Sequence, residues 1–101
     1  MTTRYIFVFA CVFSLQCAAS DDPLASLKKG QTKDVVELID RLSGCNHWSG
    51  EEPYDADRKK QISFAMAKLK CGRLAKDEAA ALKRYAKKPN TIKVLRQAKE
   101  F

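Results

Sequence analysis

The chain has 101 residues but only one histidine, one tryptophan, four glycines and three prolines. A lone imidazole leaves a zinc site without its usual second ligand. The sequence contains no H-E-x-x-H motif and no calcium-binding loop closed by a bidentate glutamate. The scarcity of Gly and Pro, with no repeats or low-complexity tract, excludes collagen-like and disordered compositions. No segment sustains the apolar/polar alternation of a half-buried strand. No basic motif interleaved with aromatics and no zinc-finger spacing points to a nucleic-acid partner. What remains is 46% hydrophobic and 31% charged, the balance of one small globular domain.

The first twenty residues stand apart. Arg4 precedes a run from Tyr5 to Leu15 that is apolar except for Ser14, followed by Ala18, Ala19 and Ser20. The run is too short to span a bilayer, and Ala18 and Ser20 satisfy the small-x-small rule for cleavage before Asp21. Residues 1–20 are therefore read as a cleaved secretory signal peptide and 21–101 as a single helical domain, which implies export to the periplasm. A lipoprotein signal fits Ser14-Leu15-Gln16-Cys17 poorly. Of the four cysteines, Cys11 and Cys17 would leave with the signal, while Cys45 and Cys71 remain. Two thiols in an exported chain of this size predict one disulfide, the alternative being two buried free cysteines. The chain-entropy estimate for such a loop is about 3.5 kcal/mol, a large share of a total stability of about 5 kcal/mol or more. Reduction is expected to weaken or unfold the protein.

Helical periodicity organises the rest. Thr32 is a candidate N-cap. Val35, Leu38, Ile39 and Leu42 share one helical face, and Gly44 reads as the stop, with Cys45 just beyond. Before them, residues 21–30 predict a turn or two opened near Pro23 and ended at Gly30. Residues 46–54 read as a connecting loop, and Asp55 as the N-cap of the next helix, with Asp57 in its first turn. That helix is apolar on two sides, with Ile62, Ala65, Met66 and Leu69 on one and Phe64, Ala67 and Cys71 on the other, which predicts a sandwiched helix. Helical steps continue through Leu74, Glu78, Leu82 and Tyr85, favouring one helix running on past Gly72 until Pro89 ends it. Asn90 or Thr91 would cap a last helix carrying Ile92, Leu95 and Ala98 inward. The expected fold is all-α, a small bundle of three or four helices pinned by one disulfide.

Chemistry-bearing residues concentrate between Cys45 and Arg58. His47, Glu51, Glu52, Asp55 and Asp57 are the groups from which a general base or metal ligands would have to come, but one His among several carboxylates is ordinary. The more economical reading has the carboxylates facing a helix N-terminus, Arg58 answering them in a local salt bridge, and Trp48 and Tyr54 sealing a loop. A recognition reading shares those residues: His47, Trp48, Glu51, Glu52, Tyr54 and Asp55 would form a partner-binding patch on a rigid scaffold, with aromatic anchors and charge for steering. No cofactor or metal is expected.

Cys45-x-x-Trp48 with Gly50-Glu51-Glu52-Pro53-Tyr54-Asp55, then Leu69-Lys70-Cys71, Leu74, Asp77-Glu78, Leu82, Arg84-Tyr85 and Pro89, resembles small exported proteins of Gram-negative bacteria. More narrowly, it is similar to the KikA-type "killing in Klebsiella" proteins that conjugative plasmids encode beside their transfer genes. The resemblance implies an envelope compartment and a plasmid-transfer context; it carries no catalytic residue set.

Charge divides along the chain. Residues 21–58 hold five cations against nine carboxylates, whereas residues 59–101 hold thirteen against three, a balance of −4 followed by +10. Three function classes are compatible with this pattern. The first is a non-enzymatic periplasmic protein that binds another envelope protein, as an accessory or host-toxic factor of conjugative transfer. The second is a periplasmic inhibitor or immunity protein whose acidic loop enters a cell-wall-degrading enzyme. The third is a cationic helical protein acting at an anionic membrane surface, unless its lysines are only the solvated face of a folded helix.

Overall fold

The computed structural model describes residues 22–101. The expected signal peptide, with Cys11 and Cys17, lies outside the described residues. Among the described residues the chain forms α1 (Pro23–Lys28), α2 (Lys33–Ser49), α3 (Ala56–Lys68), a 3₁₀ turn (Cys71–Arg73), α4 (Leu74–Arg84) and α5 (Pro89–Ala98), with no strand. The all-α bundle is as expected, with five helices rather than three or four.

Helix α2 is the axis. Val35, Leu38, Ile39 and Leu42 form a buried stripe that meets Ala81 of α4 and Leu95 and Ala98 of α5. Leu24 and Leu27 of α1 pack against the same core half-buried. Ile39 and Leu95 are wholly buried, so truncating either to Ala would cost about 2–5 kcal/mol. The expected disulfide is present: Cys45 and Cys71, 26 residues apart in sequence, are bonded with their Cα atoms 5.6 Å apart.

Four local expectations are overturned, each for a physical reason. Gly44 does not end α2, which runs five residues further to Ser49 and carries Cys45 within it. Its missing side chain serves packing instead: a Cβ there would fall 2.7 Å from Leu69 Cδ1. The run from α3 into α4 is not one helix. The chain breaks at Lys70, a non-glycine residue in the left-handed region at φ 56°, and not at Gly72. That conformation costs about 1–3 kcal/mol and persists only where surrounding contacts enforce it. Here Arg41 enforces it: Nε donates to the Leu69 carbonyl (2.8 Å) and a terminal nitrogen to the Lys70 carbonyl (3.0 Å), while the other terminal nitrogen pairs with Asp77 at 2.9 Å.

The third correction concerns α3, which is not sandwiched. Ile62, Ala65, Met66 and Leu69 are half-buried on one side, while Phe64 is 71% exposed and Ala67 is exposed too. The fourth is Pro89, which opens α5 instead of closing α4. Its ring fixes φ for the first helical position, and the N-cap residue is Lys88 rather than Asn90 or Thr91. Thr91 is buried with Leu95 and Ala98, its hydroxyl donating to Gln31 Oε1 at 3.3 Å, and Ile92 turns outward, half-exposed.

The expected cap at Asp55 is in place, accepting from the Arg58 amide at 2.7 Å, and Asp22, which the sequence reading did not single out, caps α1 by accepting from the Leu24 amide. Thr32 occupies the N-cap of α2 without capping it; its hydroxyl donates instead to Asp34 Oδ1 at 2.5 Å. The Tyr85 hydroxyl donates to Asp34 Oδ2 at 2.7 Å and a terminal nitrogen of Arg84 donates to the same oxygen at 3.1 Å, tying the start of α2 to the end of α4. The hydrogen bonds from Thr32 and Tyr85, then that from Arg84, hold the Asp34 carboxyl down at about 2 from its ordinary 3.8. Because the folded-state value is the lower one, the stabilisation is fully present above pH 3.8 and fades as pH falls through about 2. Acid unfolding followed by circular dichroism should show Asp34→Asn less stable than the parent at neutral pH, with the difference vanishing toward pH 2.

Candidate functional site

The expected patch straddles the junction between α2 and α3. Because α2 continues past Gly44, His47 and Trp48 lie on its last turn and not in a loop; only the segment from Gly50 to Asp55 connects the helices. Trp48 thus projects from a helix anchored one turn earlier by Cys45. The His47 ring meets it edge-on, with centroids 5.2 Å apart and planes at 78°.

Arg58 gathers the patch. From the first turn of α3 its guanidinium lies 5.4 Å from the Trp48 ring centroid and 5.9 Å from that of Tyr54. One terminal nitrogen forms an ion pair with Glu51, and the other donates to Gln61 Oε1 at 2.9 Å. Its Nε is buried with no hydrogen-bond partner among the described residues, as expected for a guanidinium flanked by rings. Partly desolvated cation–π contacts of this kind contribute about 0.5–2 kcal/mol each. The side chain read from sequence as a weak surface salt bridge is therefore the hub that positions Trp48, Tyr54 and Glu51.

The carboxylates divide by task. Glu51 is committed to Arg58 and Asp55 to capping α3. Glu52 is exposed, and its backbone carbonyl accepts from the Tyr54 amide at 3.0 Å. Asp57 is exposed in the first turn of α3, facing the helix's positive end. Among the described residues no three His, Cys, Asp or Glu side chains converge to hold a metal ion. Tyr54 is 76% exposed, with the Arg58 guanidinium 5.9 Å from its ring centroid, and Phe64 lies 71% exposed further along α3.

Sequence reasoning missed Arg58 as the organiser and Phe64 as a surface group. No local spacing signalled the first, because Tyr54 lies in the connecting segment and Trp48 on α2. For the second, the signal was the shortage of helices able to cover both sides of α3. Comparison with protein families, with curated proteins and with solved structures finds no match for this chain.

Trp48 is the chain's one tryptophan, so its emission reports this site alone. Arg58→Gln should red-shift Trp48 emission and lower stability by about 1–2 kcal/mol, measured by fluorescence and thermal unfolding.

Proposed function

We propose that this is a small exported, non-enzymatic protein of the periplasm that binds another envelope protein through Trp48, Tyr54 and their neighbours. The observation that carries the reading is an aromatic ring 76% exposed with a guanidinium 5.9 Å from its centroid. A side chain already ordered before contact loses little conformational freedom on binding, and Tyr and Trp are the residues that most often dominate interface energies. Glu52 and Asp57, both exposed, supply charge for steering. The pattern shared with KikA-type proteins adds a context, conjugative plasmid transfer, in which an accessory or host-toxic factor would act on such a partner.

The inhibitor or immunity reading requires an acidic loop presented as a key to a basic cleft. It is the poorer fit, because Glu51 is neutralised by Arg58 and Asp55 is occupied at the helix start.

The test is site-specific photocrosslinking in the envelope of cells producing the protein. A photoreactive residue in place of Tyr54 should give one adduct of defined mass, sensitive to Arg58→Gln. The same residue in place of the exposed Ala79 on α4 should give none. No adduct from either position, or the same adduct from both, contradicts the reading.

A further inference from the structure

On α5 the two faces have separated. Thr91, Leu95 and Ala98 point into the core, whereas Pro89, Ile92, Lys93 and Arg96 recur at helical steps on the outward side. Ile92, which periodicity assigns to the core, instead joins Ala86 and Pro89 as the apolar floor of a shallow groove of about 460 Å³. Lys93 and Arg96 line the groove as well, and Lys87 and Lys88 stand exposed in the turn that leads into it.

Twelve of the eighteen cations among the described residues form no ion pair, and four of them gather here. Lys28, Arg41, Arg58, Arg73, Arg84 and Lys99 each pair with a carboxylate. Lys87, Lys88, Lys93 and Arg96 form no ion pair with a described residue, and Glu100 is the one carboxylate among the groove's lining residues. An uncompensated positive cluster attracts anionic surfaces. The apolar centre narrows the choice. Half-exposed aliphatic groups ringed by long cationic side chains suit a lipid headgroup boundary, where the stems of Lys and Arg lie along the acyl edge while their charges meet phosphate. Bases of a nucleic acid would call for aromatic stacking platforms, and the lining residues include none.

We propose that the corner formed by Lys87, Lys88 and the outward face of α5 docks on an anionic phospholipid surface, with Ile92 entering the interface. This surface shares no residue with the Trp48–Tyr54 patch, so either assignment stands or falls without the other.

Sedimentation of the exported protein with phosphatidylglycerol/phosphatidylcholine vesicles tests it. Binding should be strong at low salt and fall as salt rises. Each juxtamembrane cation is worth about 1 kcal/mol, so Lys93→Gln and Arg96→Gln should each lower partitioning about five-fold. Ile92→Ser should also lower it several-fold, with the net charge unchanged. Lys59→Gln/Lys60→Gln on α3, which removes the same charge as Lys93→Gln/Arg96→Gln, should cost distinctly less, and circular dichroism should show every variant folded. Several results would overturn the proposal: no binding to the mixed vesicles, equal binding to phosphatidylcholine alone, an α3 variant as impaired as the α5 variants, or a groove that holds duplex DNA or an acidic protein while Ile92→Ser leaves vesicle binding unchanged.

Discussion

The corner from Leu69 to Arg73 is the constraint on which the placement of α3, and with it the aromatic patch, depends. Helix α3 has no fully buried residue, so apolar burial alone does not fix it as it fixes α2 and α5. Two devices fasten its C-terminal end to α2 instead. The Cys45–Cys71 bond is covalent, and Arg41 grips the two carbonyls at the break while also pairing with Asp77. Leu69 fills the notch left by Gly44 beneath that grip. Lys would not substitute for Arg41, because only a planar guanidinium presents donors in the fork that reaches three partners. The other end of α3 is held by Arg58 against the last turn of α2, and the aromatic patch lies at that end.

The charge division of the sequence partly folds back on itself. Arg84 returns to Asp34 and Asp77 comes to Arg41, so groups from the acidic and basic halves meet along α2. The Arg84–Asp34 pair is exposed and contributes little by itself, but Arg41 and Asp77 are largely shielded from water and help fix geometry as well as energy. Lys99 meets Glu78 similarly at the end of α5, where Asn46 also donates to the Phe101 carbonyl at 2.7 Å. Together these contacts close the C-terminal residues onto the disulfide-bearing end of α2. No helix among the described residues is long and apolar enough to cross a membrane.

Much of this was legible in periodicity. The stripe on α2, the Asp55 cap and the pairing of Cys45 with Cys71 follow from spacing and from the arithmetic of two remaining thiols. The failures share one cause: residues with a strong local habit were overruled by tertiary contacts. Gly44 has the composition of a stop, but its position is needed as a notch, and Cys45 three residues after Leu42 already extended the buried stripe past it. Lys70 has no local reason to adopt a left-handed conformation; the reason is Arg41, far away in sequence. Pro89 serves equally to end a helix or to begin one, and only the register of Thr91, Leu95 and Ala98 decides. Within the candidate site, Trp48 and Tyr54 were legible as its aromatic residues, but the guanidinium that meets both rings depends on the crossing of α2 and α3, which no local pattern encodes.

Hydrogen exchange on the protein before and after reduction of Cys45–Cys71 tests most directly whether α3 is fastened by the corner rather than by burial. Amides of Ala56–Lys68 should lose protection on reduction while those around Ile39 and Leu95 keep theirs. Unchanged protection across α3, or simultaneous loss in α2, α3 and α5, would contradict it.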